Sequence, residues 1–332
     1  MTSLLFSAQK DEGAFMLEWV LYHHAIGFSD IVIYSNDCSD GSDVLLDLLQ
    51  DEGLITHYIT KPEPDESAQG HAAKHMFTSD HYARADWVTW VDADEFINIQ
   101  SGAGKVDDLI KGLGNAHGVF MNWRLFGDSG LPGWSDVLVL ETQTGCARKG
   151  NGENNPVKAF FRPSEAVKEL YIHRPVFGDD FSAFDQTYVD SDGNKLPQEM
   201  LTERRPHGPP VQTFQPHKRQ YSLAQVNHYA VRTFDVFSLK KFRGSGMKPI
   251  GGSAELRGRR HGDKFWTKRN RNEVQDTSIQ RHLPSLKHLR QEWLAKPKIR
   301  AAHYDCCAAL AHRLVELEAS GHPMTPKAAG LE

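Results

Sequence analysis

The chain has 332 residues, 39% of them apolar and 24% charged, with a formal net charge of −5. That is the composition of an ordinary soluble globular protein, with room for one large domain or two smaller ones. No apolar run approaches the ~20 residues that span a bilayer, and the opening "MTSLLFSAQKDEG" is too short and too soon acidic for a secretory signal. The four cysteines, Cys38, Cys146, Cys306 and Cys307, show neither a disulfide framework nor paired metal-ligand spacing. A reducing, cytoplasmic setting is expected.

In chain order, "SLLFSA" (3–8) reads as a short buried strand. In "GAFMLEWVLYHHAIGF", Leu17, Val20, Leu21 and His24 recur at i, i+3, i+4 and i+7, one face of a helix ended by Gly27. "DIVIYS" is a β-branched strand, and "SNDCSDGS" is turn chemistry. "SDVLLDLLQDEG" is a helix with Ser42 as N-cap and Gly53 just past its end. "LITHYI" is a third strand, Pro62 and Pro64 mark a loop, "GHAAKHMFTSDHYARA" is a helix, and "DWVTWV" is a fourth strand. Strands alternating with helices imply βαβ units and a parallel sheet, whose strands are buried on both faces.

The second half is less regular. "HGVFMNW" (117–123) is another strand, followed by the loop "RLFGDSGLPG"; residues 140–225 are punctuated by Pro and Gly; from about residue 285 the sequence is helical, and 322–332 read as a frayed tail. Charge is unevenly placed. Residues 1–60 carry ten acidic residues and one lysine, Lys10, whereas 240–271 carry eleven Lys or Arg against Glu255 and Asp263. Such a segment either meets an anionic partner or is a solvated basic loop. It lacks a helix-turn-helix or zinc signature, and the rest of the chain is acidic, so nucleic acid is not the expected partner.

The stretch "VDADEF" (91–96) places Asp92, Asp94 and Glu95 at the carboxyl end of the fourth strand, where ligands of open α/β sheets bind. Asp-x-Asp on a tight turn can hold Mg²⁺ or Mn²⁺, hard cations that take oxygen ligands and leave positions open for phosphate. A phosphatase of the haloacid dehalogenase type also carries Asp-x-Asp after a strand, but there the motif continues with Thr or Val and opens the fold. An acidic turn that caps the next segment is the third reading.

The stretch from "SAQKDEG" through "EWVLYHHAIG" to "YSNDCSDGS", followed in order by "VDADEF", "NWRLFG", "HRP" and "NHY", resembles the GT-A glycosyltransferases, most of all a bacterial family-2-like group related to family 92. The resemblance covers roughly residues 4–245. It implies an α/β, Rossmann-like GT-A nucleotide-sugar-binding fold with a C-terminal helical extension. The expected layout is a catalytic domain over 1–245 (nucleotide-binding half 1–100, acceptor half 101–245), a basic flexible segment over 246–284 and C-terminal helices over 285–332.

The resemblance also implies roles. Lys10, Asp11 and Glu12 would meet the base and ribose of the nucleotide. Asn36 and Asp37 would contact the base; here Ser35-Asn36-Asp37-Cys38 replaces the Asp-Asp-Gly-Ser of the wider superfamily. Lys74 and His75, on the helix before the Asp-x-Asp strand, would face the nucleotide or its phosphates. Asp92 and Asp94 would hold Mn²⁺ or Mg²⁺, with His228 of "NHY" as an added ligand; a bland role is equally open to His228, and still more so to His173 of "HRP". Trp123 and Arg124 would shape an acceptor pocket or pack in the core. Apart from the resemblance, Gly244, Gly246, Gly251 and Gly252 read as a mobile loop in which Lys240, Lys241 or Arg243 would close over a diphosphate, or the segment 240–271 would touch anionic lipid headgroups or an anionic glycan.

The expected function is therefore metal-dependent transfer of a sugar, with inversion, from a nucleotide sugar, UDP-linked, to a glycan, lipid or protein hydroxyl. The expected location is the cytoplasm or the inner face of its membrane. Inversion needs a carboxylate base on the acceptor side; Asp128 and the pair Asp179 and Asp180 are the candidates, each also explicable as a turn residue beside glycine. Two alternatives remain at this point. One is a sugar nucleotidyltransferase, although "SAQKDEG" does not look like its phosphate loop. The other is a nucleotide-sugar-binding module without turnover.

Overall fold

The structure is a computed structural model that describes residues 1–63, 65–202, 213–214, 218–243 and 262–331, with the backbone only for 241–243. β1 (Ser3–Gln9) runs into α1 (Gly13–Ile26), which ends at Gly27 in the left-handed conformation (φ 108°) with its N–H on the His23 and His24 carbonyls. β2 (Asp30–Ser35), α2 (Ser42–Asp51) and β3 (Thr56–Ile59) follow. α2 is capped differently from the sequence reading. Ser42 is already helical, the N-cap is Gly41 at φ 84°, and the Asp40 carboxylate accepts the Ser42 N–H.

The helix expected over 70–85 is two helices, α3 (Ala68–Phe77) and α4 (Asp80–Arg84). The break falls at Ser79, whose hydroxyl accepts the Tyr82 N–H and so starts a new helix. β4 (Trp87–Trp90) then turns through residues 91–94 into β5 (Glu95–Ile99), a strand the sequence reading passed over. α5 (Val106–Leu113) leads to β6 (Gly118–Leu125), which takes in two residues expected to be loop. α6 (Val139–Thr142), β7 (Gly145–Cys146), β8 (Val157–Phe161), the hairpin of β9 (Val167–Leu170) and β10 (Pro175–Phe177), β11 (Tyr188–Asp190) and α7 (Gln198–Thr202) fill the irregular stretch.

β12 (Ala224–His228), α8 (Phe234–Arg243), α9 (Asp263–Arg269), β13 (Val274–Gln275), α10 (Leu283–Leu294) and α11 (Pro297–Ala319) complete the described elements. The basic stretch around 240–271 is thus described only in part. From residue 262 it is built into the fold, because Trp266 of α9 is buried against Phe234 and Phe237.

The main sheet has the order β3-β2-β1-β4-β8-β6-β12-β5. β1 pairs in parallel with β2 and β4, and β2 with β3, as the alternating pattern predicts. β8 then enters antiparallel between β4 and β6, so the second half is mixed. β12 lies parallel to β6 and antiparallel to β5. β4 and β5 are four strand spacings apart in this order, about 19 Å in a flat sheet, yet a turn closed by a 3.0 Å Glu95 N–H to Asp92 C=O bond joins them. The sheet must therefore curl, and the curl brings β12 and the segment after it over the carboxyl end of β4.

Alternate residues of the strands feed two cores. Leu5, Ile33 and Met121 face α1, α2 and α5, and Leu4, Phe6, Val32 and Phe120 face α3 and the β9–β10 hairpin. α10 and α11 belong to the first core through Leu286, Ile299, Ala302 and Cys306. The approach of α11 to α1 is close enough that a Cβ on Gly13 would lie 2.6 Å from Cys306 Sγ. The tail expected to fray instead folds back. Ala329 and Leu331 pack on the cluster of Val231, Phe234, Phe237 and Trp266, an apolar patch that water would otherwise touch.

Candidate active site

The turn after β4 is held by its backbone from three sides. The Trp19 indole of α1 donates to the carbonyls of Asp92 (3.1 Å) and Glu95 (2.9 Å). The Tyr229 N–H, just past β12, donates to the Asp94 carbonyl at 2.8 Å. Arg232 donates to the Ala93 carbonyl at 3.0 Å and, with its other terminal nitrogen, to Glu12 Oε2 at 2.6 Å. Arg232 is buried, sits at a left-handed φ of 50°, and lies with its guanidinium carbon 3.5 Å from the Phe15 ring centre. Sequence reasoning missed it, although it stands four residues beyond His228 of "NHY".

Once the turn is fixed, its three acids face different partners. Glu95 folds inward and is fully buried, its Oε2 accepting the Asp92 N–H. Lys158 of β8, also fully buried, places Nζ 3.1 Å from both Asp92 Oδ2 and Glu95 Oε2 and donates to the Ile172 carbonyl at 2.8 Å. Burial, helped by the charges of Asp92 and Asp94, pushes Glu95 up to about 8 against the pull of Lys158. Burial works against the charge of Lys158, but Asp92 and Glu95 raise it above its ordinary value. Gln69, from the first turn of α3, donates to Asp92 Oδ1 at 3.3 Å.

Asp94 points the other way. Its Oδ2 is 2.7 Å from Lys240 Nζ of α8, and its Oδ1 is 3.5 Å from His228 Nε2 at the end of β12. Burial opposes its ionisation, but Lys240, and after it His228 and Arg232, hold it well below the usual carboxylate range. Burial lowers His228 against the pull of Asp94, and its Nδ1 is buried with no hydrogen-bond partner among the described residues. The ring packs 4.1 Å from that of Trp123, which in turn has His173 at 5.4 Å and the Arg269 guanidinium at 5.3 Å. Arg124 turns away, buried over Tyr221.

Two donors on one small divalent cation, each at ~2.1 Å and about 90–110° apart, lie roughly 3.0–3.5 Å from each other. The Asp94–His228 pair, a carboxylate oxygen and an imidazole nitrogen 3.5 Å apart, has the spacing of two donors on such an ion. Asp92 already has Lys158 and Gln69 on its two oxygens, so Asp94 and His228 are the pair best placed to hold one.

Beside Asp94 lies a cavity of about 380 Å³. Lys10, Asp11 and Glu12 from the end of β1, Asp40 before α2, Arg232 and Lys240 from the region after β12, and Arg313 from α11 supply its polar lining. Asp11 and Asp37 both adopt left-handed φ (53° and 46°), and Asp11 Oδ1 accepts the Ser39 N–H at 2.7 Å. The ends of β1 and β2 are thereby tied together, with Lys10 3.9 Å from Asp37 and Asn36 donating to Asp37.

Other residues singled out from the sequence sit apart. Lys74 is on the outer face of α3, 2.6 Å from Glu66, and His75 bonds the Tyr34 hydroxyl; Gln69 is the residue of that helix that reaches the turn. Asp128 Oδ1 accepts the Gly130 N–H and the Asn272 side-chain amide, both at 3.0 Å. Asp179 and Asp180 are exposed beyond β10, with Asp180 3.6 Å from Lys168. No hydrogen bond or ion pair among the described residues joins Asp128, Asp179 or Asp180 to Asp94. Lys241 and Arg243 belong to α8, but their side chains lie outside the described residues, as does 244–261 of the basic stretch.

The model of glycosyltransferase family 92 matches residues 8–176, from the end of β1 past the acidic turn to the β9–β10 hairpin. The chain belongs to glycosyltransferase family 92. The α/β sheet with a Rossmann-like parallel half and a C-terminal helical extension is the GT-A arrangement expected of it. Family 92 proteins of Ricinus communis and Oryza sativa subsp. japonica are each 28% identical, over 128 and 104 residues, which is 37% and 31% of this chain. The matches cover 22% and 17% of those relatives, so the chain spans about a fifth of the length of the curated relatives it matches. Among solved structures, S. aureus TarS 1–349 aligns over 96% of this chain and 83% of its own at 11% identity and a TM-score of 0.33. HddC from Yersinia pseudotuberculosis aligns over 57% of this chain and 91% of its own at 10% identity and a TM-score of 0.30. The family match ends before His228, Arg232 and Lys240. Among the described residues, no helix is long and apolar enough to cross a membrane.

Proposed function

We propose that this family 92 chain is a metal-dependent glycosyltransferase that moves a sugar from a UDP-linked donor to a hydroxyl of a glycan, glycolipid or protein, with inversion at the anomeric carbon. One observation carries the reading. Asp94 Oδ1 and His228 Nε2 lie 3.5 Å apart beside the carboxyl end of β4, and Lys240, paired with Asp94, also lines the cavity at the end of β1. Ligands of open α/β sheets bind at that end of the strands, and the cavity is of ordinary ligand-site size.

Breaking the anomeric C–O bond builds negative charge on the leaving diphosphate. Mn²⁺ or Mg²⁺, held by Asp94 and His228 with Asp92 alongside, would supply positive charge to those oxygens. The chain's own groups act around this. Lys10, 3.9 Å from Asp37, and Arg313, 3.4 Å from Asp11, would turn toward an anion in the cavity, and the polar ends of β1 and β2 would face the base and ribose. Trp123, buried among His228, His173 and Arg269, would form part of the wall of an acceptor pocket. Asp128 follows β6, which carries Trp123, and is the base candidate tied to that wall, through Asn270 and Asn272 beyond Arg269. UDP as the nucleotide follows from the family resemblance. A cytoplasmic site of action, at or near a membrane through 240–271, belongs to the same reading.

The test is turnover. Purified protein with Mn²⁺ is expected to release UDP slowly from at least one UDP-sugar even without acceptor. Asn at the true base among Asp128, Asp179 and Asp180 should lower transfer by ~10²–10⁴-fold while donor affinity holds. No release from any nucleotide sugar with any divalent ion would remove the enzymatic reading and leave a binding module.

A further inference from the structure

Asp94 has two claimants. A divalent ion shared with His228 would use Oδ1, while Lys240 Nζ sits 2.7 Å from Oδ2 of the same carboxylate. An ammonium that close to a dication repels it, so the two compete for one negative charge. The two lysines of the site differ in what they can do about this. Lys158 is fully enclosed and held by Asp92, Glu95 and the Ile172 carbonyl, with no open space to move into. Lys240 has Asp94 and, at 3.3 Å, the Ala230 carbonyl, and its residue lines the 380 Å³ cavity, where Lys10, Arg232 and Arg313 stand with the carboxylates of Asp11, Glu12 and Asp40. A four-carbon stem with free rotors lets its ammonium swing from the carboxylate into that cavity without a change in the helix.

We propose that Lys240 and a divalent cation are alternative partners of Asp94, and that the displaced ammonium becomes a phosphate-binding group of the adjoining cavity. This rests on the metal-dependent reading above and adds a coupling to it. A diphosphate entering the cavity draws Lys240 off Asp94 and so opens the ion site. An ion at Asp94 and His228 releases Lys240 toward the diphosphate. By linkage each strengthens the other by the same factor, beyond any direct bond between ion and phosphate. Without either ligand, Lys240 keeps the half-buried Asp94 charge paired, which prevents the cost of an isolated carboxylate.

The experiment uses Mn²⁺ alone as probe on the full chain, by calorimetry and by thermal shift, in wild type, Lys240→Met, Lys240→Arg and Asp94→Asn. Lys240→Met, which keeps the stem and removes the charge, is expected to bind Mn²⁺ at least ~10-fold more tightly than wild type, a typical coupling factor. Its melting temperature should also rise more on Mn²⁺ addition. Lys240→Arg should bind no more tightly than wild type. Inorganic pyrophosphate should tighten Mn²⁺ binding in wild type by a larger factor than in Lys240→Met. If the Met variant does not fold, Lys240→Gln gives the same comparison. Equal or weaker Mn²⁺ binding in the uncharged variant, with Asp94→Asn abolishing it, overturns the exchange and leaves the metal site standing. Mn²⁺ binding that ignores Asp94→Asn overturns both.

Discussion

Arg232 is the residue on which the geometry of the acidic turn most depends. Its two terminal nitrogens join Glu12 at the end of β1 to the carbonyl of Ala93, the residue between Asp92 and Asp94. The pair is buried, and removing one partner of a buried pair leaves the other charge uncompensated, at about 3–5 kcal/mol. Arg232→Met is therefore expected to lower stability in urea titration by about that amount, and Glu12→Gln/Arg232→Met to recover part of it. A loss under 1 kcal/mol would mean the pair does not brace the turn. Asp92 and Asp94 were legible in the sequence through the local spacing of their motif, and His228 through the resemblance of "NHY". Arg232 was not, because its meaning lies in two contacts 139 and 220 positions away and in a left-handed φ that no side-chain pattern announces. Gln69 was hidden for a different reason: the basic residues further along the same helix drew attention, but the helix turns them outward to Glu66 and Tyr34.

At the scale of elements, the parallel half of the sheet was readable because hydrophobic runs and turn chemistry alternate there without interruption. β5 was not, because "EFINI" follows four residues after β4 and reads as its continuation; only the curl of the sheet separates the two strands. The C-terminal helices carried little of the family resemblance, yet α11 lies on α1 closely enough to require glycine at position 13. A Cβ there would meet Cys306 Sγ at 2.6 Å and Cys306 Cβ at 2.9 Å, both on a helix that cannot shift cheaply. Gly13→Ala is thus expected to destabilise by ~1–3 kcal/mol, the usual range for overpacking. Adding Cys306→Ala removes the sulfur but not the Cβ, so it should restore only part of the loss. Chemical denaturation of the single and double variants checks this; additive losses in the double variant would show that the two positions do not touch. The same contact explains why the helices belong to the core that carries the site rather than forming an appendage.

At the scale of the whole molecule, three distant stretches meet at one point: the end of β1 near residue 10, the turn after β4 near 93, and the region from 228 to 240 that the curl of the sheet lays over them. α11 closes the cavity from the fourth side with Arg313, whose guanidinium reaches Ser39 at 2.8 Å. Under the proposed function, this meeting point binds a nucleotide diphosphate through a cation on Asp94 and His228. Calorimetric titration of UDP in the presence and absence of Mn²⁺, on wild type and Asp94→Asn, measures that directly. UDP binding is expected to tighten by an order of magnitude or more with Mn²⁺ in wild type, with no Mn²⁺ effect in Asp94→Asn, as loss of a charged ligand to a hard cation implies. The same Mn²⁺-dependent tightening in Asp94→Asn, with melting curves showing both proteins folded, would contradict it.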